Sequence, residues 1–309
     1  MKQCSLELSV KSILSLSLFK ITLPLSIEHI ISLAVVQALT EFLPVSSSAH
    51  LILFPMFMGW EDQGLVFDVS LHIGTLLAVL LYFRLDLQNL LKNCLNSGNP
   101  IEITYRENST HLFPKIKIRP LPNESRLVWG ILLATIPAGI MGLIITGFNL
   151  EESLRKAIVI ASTTMIFGLL LGWADLTGRQ QRNEHSLTWS DILIIGIAQA
   201  VALIPGTSRS GITITVGLLL GLHRQAAARF SFLLSIPAII LAGGGDAIKC
   251  FLTPSISIDG GAILLGMGVS ALTAYLCIYS FMKLLAYVGM WPFVLYRLGL
   301  AAVLWIWVV

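Results

Sequence analysis

Apolar residues in this chain gather into long blocks, at about 27–42, 44–58, 65–83, 127–147, 154–173, 190–204, 210–222, 226–245, 258–281 and 290–309, with the charges pushed between them. A soluble helix carries an apolar stripe every three or four residues and a half-buried strand alternates; neither period governs these blocks. Six of them (65–83, 127–147, 154–173, 226–245, 258–281 and 290–309) approach the roughly 20 residues that cross a bilayer core. The other four are short and come in pairs. Pro44 separates 27–42 from 44–58, and Pro205-Gly206 separates 190–204 from 210–222. Proline removes a helical hydrogen bond and glycine admits dihedrals closed to other residues. Each half is too short to span, so each pair is expected to be a re-entrant helical hairpin. Irregular backbone at membrane depth persists only where protein or a watery cavity answers its polar groups, so the two breaks point to a buried site.

The two broken segments match in register. A shift of 162 positions lays Gln37-Ala38 on Gln199-Ala200, Ser46 on Ser208 and Ser48 on Ser210. Three predicted crossings lie between the hairpins, an odd number, so the second enters from the opposite face. The expected fold is therefore an all-α integral membrane protein with inverted-topology repeats, six membrane-spanning helices and two re-entrant hairpins. Its domains are an N-terminal extension, 1–26, and one transmembrane domain, 27–309. Repeat 1 covers about 27–147, repeat 2 about 190–309, and a polar loop covers 84–126.

Composition agrees: 55% of residues are hydrophobic and 12% charged, against about a quarter charged in soluble chains. The net charge of +3 and the scattered basic residues exclude a nucleic-acid surface. Placement of the basic residues sets orientation. Arg84, Lys92, Arg106, Lys115, Lys117, Arg119 and Arg126 fall in one loop, on the side that also receives Arg179, Arg182, Arg224, Arg229 and Lys283. That side is expected to be cytoplasmic, which opens the first hairpin outward and the second inward. Cys4, Cys94, Cys250 and Cys277 have no metal-ligand or paired spacing. Residues 1–26 lack a clean apolar core and cleavage site, and read as an uncleaved extension.

Chemistry concentrates at the breaks. In the first, Gln37 and Glu41 share a helix face, and Ser46, Ser47, Ser48 and His50 follow Pro44. An ionisable group inside a membrane segment costs about 2.5–3.5 kcal/mol on insertion scales, so Glu41 is retained for pairing, for a cavity or for use. In the second, Thr207, Ser208, Arg209, Ser210 and Thr213 follow Pro205-Gly206. Serines at a helix start cap its free N–H groups, and the same N–H groups bind anions. A guanidinium matches phosphate oxygens with two donors at once. Two such half-sites face to face suit a doubly phosphorylated head group. Read singly, the serines are caps, His50 an interior histidine, and Arg209 a structural partner for Glu41. Asp68 and His72, four residues apart, read as an interfacial pair or as cavity lining.

The segments T-E-F-L-P-V-S-S-S-A-H-L, within Gln37–Leu51, and P-G-T-S-R-S-G-I-T, Pro205–Thr213, resemble the two signature motifs of the undecaprenyl-diphosphate phosphatases, the bacitracin-resistance family. Phe67–Val79 resembles the stretch that follows the first motif, and the likeness runs from about residue 27 to the C-terminus. It implies hydrolysis of undecaprenyl diphosphate to the monophosphate, which recycles the carrier lipid for peptidoglycan synthesis in the bacterial inner membrane, at a site opening to the periplasm. It implies Glu41, Ser47, His50 and Arg209 as the catalytic set, with Gln37, Ser46, Ser48, Thr207, Ser208, Ser210 and Thr213 around the substrate. It also implies a divalent cation, Mg²⁺ or Ca²⁺, at Glu41. The family often has glutamate where this chain has Gln37, and glycine where it has Ala49. Expected partners are the polyprenyl diphosphate and membrane lipids, with a homodimer left open.

The rival reading is a transporter or flippase of a phosphorylated lipid, since inverted repeats with broken helices serve carriers. A carrier has no need of serine, acid and histidine beside a phosphate clamp. Acid-phosphatase-like lipid phosphatases would need a histidine six residues after Arg209, where this chain has Thr215.

Overall fold

The structure is a computed structural model that describes residues 25–97, 101–104, 115–118, 123–252 and 260–308. The extension up to residue 24, with Cys4, lies outside the described residues, as does Asn108 in the polar loop. In chain order the helices are α1 (Ile27–Phe42), α2 (Ser47–Met58), α3 (Leu65–Tyr82), α4 (Arg84–Ser97), α5 (Asn123–Gly147), the single turn α6 (Glu151–Leu154), α7 (Ala157–Thr177), α8 (Trp189–Val201), α9 (Arg209–Leu219), α10 (Arg224–Leu252), α11 (Gly260–Val288) and α12 (Trp291–Val308). Every expected apolar block forms a helix, and both expected breaks separate short helices.

Five helices are long and apolar enough to cross a membrane: Leu65–Tyr82, Ser125–Gly147, Ala157–Thr177, Arg224–Ile248 and Gly260–Val288. The chain is a multi-pass membrane protein built as a bundle of helices. The expected sixth span forms α12, whose described apolar stretch, Trp291–Trp307, falls short of that length. The 84–126 segment corrects the expectation of a plain polar loop. Its first part is α4, and Ile101–Thr104 (β1) pairs antiparallel with Lys115–Ile118 (β2). Charged residues dilute the apolar pattern there, so block-reading passed over both elements.

Contacts within the bundle repeat. The helix α1 packs on α2 and α11, and its counterpart α8 packs on α9 and α5. At the centre, α3 lies against α10 and α11, while α7 pairs with α12. Lipid tails are as apolar as leucine, so close packing rather than hydrophobic exclusion holds membrane helices together. The α3–α11 contact meets that demand with Gly266, Ser270 and Ala274, a stripe of small residues four apart on α11, all buried. Ser270 Oγ donates to Leu71 O (2.9 Å).

Ion pairs gather at the ends of the bundle. At the Asp86 end of α3, Arg229 bonds Asp86 (2.8 Å) and Glu184 (2.9 Å), Arg224 bonds Asp175 (2.6 Å) and Arg182 bonds Asp191 (2.6 Å). At the other end, Arg155 faces Asp62 (3.8 Å).

At Gly74 of α3, an added Cβ would lie 2.5 Å from Met267 O and 2.9 Å from Ser270 Cβ, whereas one at Gly268 would meet nothing within 4 Å. Gly74→Ala is expected to wedge α3 off α11 and destabilise the fold by about 1–3 kcal/mol. Its melting temperature in detergent should fall, and Gly268→Ala should leave melting unchanged.

Candidate active site

Two helix breaks in an apolar surrounding strand a set of backbone carbonyls, and each must find a donor. Thr163 Oγ1 donates to Pro205 O (2.6 Å), and Ser210 Oγ donates across to Leu43 O in the first break (3.0 Å). The rest fall largely to Arg297 of α12, which is wholly buried. Its Nη2 donates to Gly206 O (2.8 Å) and Thr207 O (2.9 Å), its Nη1 to Pro44 O (3.3 Å), and its Nε to Thr164 O (3.2 Å). One guanidinium thus holds both breaks. Gly206, at φ +90°, fits this corner because a Cβ there would run into Thr163 Oγ1 and Ile160 O.

The breaks share an unusual backbone. Ser46 (φ +83°) and Ser208 (φ +70°), matched in the 162-residue register, both precede a helix in the left-handed region that favours glycine. Such conformations cost of order 1–3 kcal/mol and persist where the surroundings over-determine them. Ser46 Oγ lies 3.3 Å from Ser48 Oγ, and Ser208 Oγ lies 3.2 Å from Ser210 Oγ. The capping expectation holds on one side only. Ser208 Oγ accepts from Gly211 N (3.1 Å), while Ser46 makes no side-chain cap.

Past each strained serine, the first helical residue turns towards Glu41. Ser47 Oγ donates to Glu41 Oε2 (2.8 Å), and Arg209 Nη2 donates to Glu41 Oε1 (3.0 Å). Gln37 Nε2 donates to Oε2 as well (2.9 Å). Glu41 is 8% exposed and its carboxylate is answered from both repeats. Arg209 Nη1 donates to Ser231 O (3.1 Å), so further N–H groups of its five remain for a ligand. Thr213 and Ser231 hydroxyls meet at 2.7 Å, and Thr213 Oγ1 also donates to Arg209 O (2.8 Å).

His50 stands apart from this cluster. Its Nδ1 lies 2.6 Å from Ser46 O and its Nε2 2.6 Å from Tyr296 OH. A carbonyl only accepts, so Nδ1 carries a proton, and in the neutral ring Nε2 accepts from the tyrosine. No hydrogen bond among the described residues joins His50 to Glu41, Ser47 or Arg209. His72, read from the sequence as part of an interfacial pair or as cavity lining, stands instead with Nε2 3.8 Å from Glu41 Oε2.

Around the two breaks, three buried side-chain oxygens have no hydrogen-bond partner among the described residues: Gln37 Oε1, Gln199 Oε1 and Thr207 Oγ1. The glutamines occupy matched positions before the two breaks. Each turns its NH₂ to an acceptor that cannot donate, Glu41 for Gln37 and Ala134 O for Gln199 (3.3 Å). Both carbonyl oxygens are left bare.

Comparison with known proteins decides the family. The profile of the bacitracin resistance protein BacA family matches residues 30–303. The chain belongs to this family. It is 52% identical over 276 residues to the undecaprenyl-diphosphatase of Nitrosococcus oceani, covering 89% of this chain and 97% of that protein. It is 54% identical over 279 residues to undecaprenyl-diphosphatase 2 of Stutzerimonas stutzeri, covering 89% and 96%. The undecaprenyl-diphosphatase of Thioalkalivibrio sulfidiphilus is 50% identical over 272 residues, covering 88% and 95%.

Sequence reasoning missed Arg297, Ser231 and Tyr296. Arg297 had a signal, a charge inside the apolar block 290–309, of the kind that drew attention to Glu41. Replacing it strands four carbonyls, and an unanswered buried polar group costs about 1–3 kcal/mol. Melting temperature in detergent should fall in the order wild type, Arg297→Lys, Arg297→Met, because lysine keeps the charge but loses the fork.

Proposed function

We propose that this BacA-family chain hydrolyses undecaprenyl diphosphate to undecaprenyl phosphate and inorganic phosphate, recycling the carrier lipid for peptidoglycan synthesis and conferring bacitracin resistance. One observation carries the reading: the Ser47 hydroxyl and the Arg209 guanidinium, from opposite repeats, bond the two oxygens of one buried carboxylate. The names of relatives about half identical over nearly the whole chain support it. A flippase or transporter has no use for a hydroxyl hydrogen-bonded to a carboxylate beside an arginine.

In this reading Ser47 Oγ attacks the terminal phosphorus. Glu41 takes its proton, being the acceptor already bonded to Ser47 Oγ at 2.8 Å; His50 is the less suited base, since both its ring nitrogens are engaged elsewhere. The bond from the terminal phosphorus to the bridging oxygen breaks, undecaprenyl phosphate leaves with that oxygen, and water then releases phosphate from the serine. The rival route has water attack directly, with Ser47 as a phosphate ligand. Phosphoryl transfer proceeds through a loose transition state, so positioning and charge stabilisation dominate. Arg209 supplies both through its remaining N–H groups. Ser46, Ser48, Thr207, Ser208, Ser210 and Thr213 surround the phosphates with hydroxyl groups.

A divalent cation, Mg²⁺ or Ca²⁺, fits the donor set: the Glu41 carboxylate and the bare, buried Gln37 Oε1 are the hard oxygens such ions prefer. When bound it neutralises charge on the phosphate oxygens. Among the described residues no group of three His, Cys, Asp or Glu could hold it, so substrate oxygens and water would complete the shell.

The architecture we propose has six spans, with α12 the sixth, and two re-entrant hairpins, α1–α2 and α8–α9. The repeated contacts of α1 with α11 and of α8 with α5 support an inverted repeat. They favour pairing α7 with α12, which extends repeat 1 beyond residue 147. The chain then sits in the bacterial inner membrane, with the basic 84–126 segment cytoplasmic and the site open to the periplasm.

Purified protein and C55 diphosphate in detergent test the chemistry by phosphate release. Arg209→Ala should abolish turnover and Arg209→Lys should rescue it poorly. Near-normal turnover in Arg209→Lys would rule out a two-donor clamp. Glu41→Gln should lower both turnover and cation dependence, and full activity in excess EDTA would exclude the cation.

Alanine substitution of the three adjacent serines separates the routes of attack. Ser47→Ala should cost orders of magnitude in turnover, whereas Ser46→Ala and Ser48→Ala should cost far less. Similar rates in all three make water the nucleophile.

A further inference from the structure

His72 has no part in the signature motifs, yet the fold brings it to the carboxylate on which the site is built. Its Nδ1 lies 2.8 Å from Asp68 O, one turn earlier on α3. The carbonyl can only accept, so Nδ1 carries the proton and the neutral ring presents a lone pair at Nε2. That lone pair stands 3.8 Å from Glu41 Oε2, an acceptor that already takes hydrogen bonds from Ser47 and Gln37 and has no proton to offer His72. The separation is too long for a hydrogen bond. Two electron-rich atoms facing each other at this distance are reconciled by a positive charge between them.

We infer that His72 Nε2 is the nitrogen ligand of a divalent cation shared with the Glu41 carboxylate. The inference rests on the cation reading of Glu41 above and extends it to a second side chain on a different helix. Three further features fit. An imidazole that binds a metal through one nitrogen nearly always donates its other N–H to a carbonyl, a carboxylate or water, as His72 does to Asp68 O. The Gln37 Oε1, wholly buried and without a partner among the described residues, belongs to the side chain that already bonds Glu41 Oε2. The His72 side chain is 32% exposed, against 7% for Glu41, so an ion can reach the nitrogen while the carboxylate stays shielded.

The donor set carries a preference. One carboxylate, one amide oxygen and one imidazole are a mixed oxygen and nitrogen set. Imidazole nitrogen suits first-row transition ions, of which Mn²⁺ is the weakest binder and the one most at home among oxygen ligands, while Ca²⁺ takes oxygen ligands. The site should therefore favour Mn²⁺ over Ca²⁺, and His72→Glu, which swaps nitrogen for oxygen, should shift the preference towards Ca²⁺. His50 supplies no such ligand, because its Nε2 faces Tyr296.

Mn²⁺ alone, added to the full chain in detergent without lipid substrate, is the probe. Pulsed electron paramagnetic resonance should show coupling to a directly bound ¹⁴N nucleus in the wild type and in His50→Gln. His72→Gln should lose that coupling and bind Mn²⁺ at least about tenfold more weakly, with an unchanged melting temperature. His72→Asn serves if the glutamine variant is poorly folded. Bound Mn²⁺ without nitrogen coupling in the wild type overturns the inference and leaves the oxygen-bound cation standing. Coupling that survives in His72→Gln overturns it too. Absence of Mn²⁺ binding, together with full phosphate release in excess EDTA, removes the cation itself and His72's role with it. Absence of phosphate release under every condition, with the nitrogen coupling intact, sinks the phosphatase reading alone.

Discussion

The site depends on a single buried guanidinium. A helix break in an apolar surrounding frees short hydroxyl side chains and backbone groups, and exposes carbonyls to a medium that cannot hydrate them. Arg297 answers four of them, from Pro44 in one break, Gly206 and Thr207 in the other, and Thr164 on the helix behind. Its charge is matched by carbonyl dipoles rather than by a carboxylate. Glu41 is therefore left to Ser47 and Arg209, and the two cations of the centre have different tasks. One fixes backbone; the other pairs with the buried carboxylate.

The symmetry is close in backbone and broken in chemistry. Ser46 and Ser208 adopt the same left-handed conformation, their hydroxyls meet Ser48 and Ser210 alike, and Gln37 and Gln199 leave the same atom bare. At the next matched position one repeat carries Ser47 and the other Arg209. Glu41 has no acidic counterpart, since the register places Leu203 there. The matched frame thus carries different groups at these positions, a hydroxyl on one side and a guanidinium on the other, around a carboxylate that has no counterpart.

Much of this was legible because membrane burial writes itself plainly into a chain. Ten apolar blocks became ten helices, and Pro44 and Pro205-Gly206 marked the breaks. Charge cost and internal register drew attention to Gln37, Glu41, the serines and Arg209, and the family resemblance implied Ser47 among the three serines. What escaped did so for physical reasons. The helix α4 and the hairpin β1–β2 lie in a charged segment where block-reading has no signal. Pro55, Pro137 and Pro237 sit inside helices without ending them, so proline alone does not predict a break. From the sequence His50 entered the expected catalytic set, and His72 read only as an interfacial or cavity-lining residue. Which histidine meets the carboxylate is decided by how α1 lies against α3, and no local pattern encodes that.

Arg297 also bears on how the chain is assembled. A charged residue in an apolar helix enters the membrane at a cost of about 2.5–3.5 kcal/mol when nothing receives it. All four of its acceptors lie earlier in the chain, on elements that leave the ribosome before α12 does. The last helix therefore arrives as a keystone arrives, into an arch whose other stones are already raised. Until it does, the two breaks are joined by Ser210 Oγ on Leu43 O and by Arg209 on Glu41, but lack the guanidinium that answers carbonyls in both. Arrival of α12 and closure of the site become one event, and a chain interrupted before Arg297 would hold every group that contacts Glu41 yet lack the guanidinium that fixes the carbonyls of both breaks.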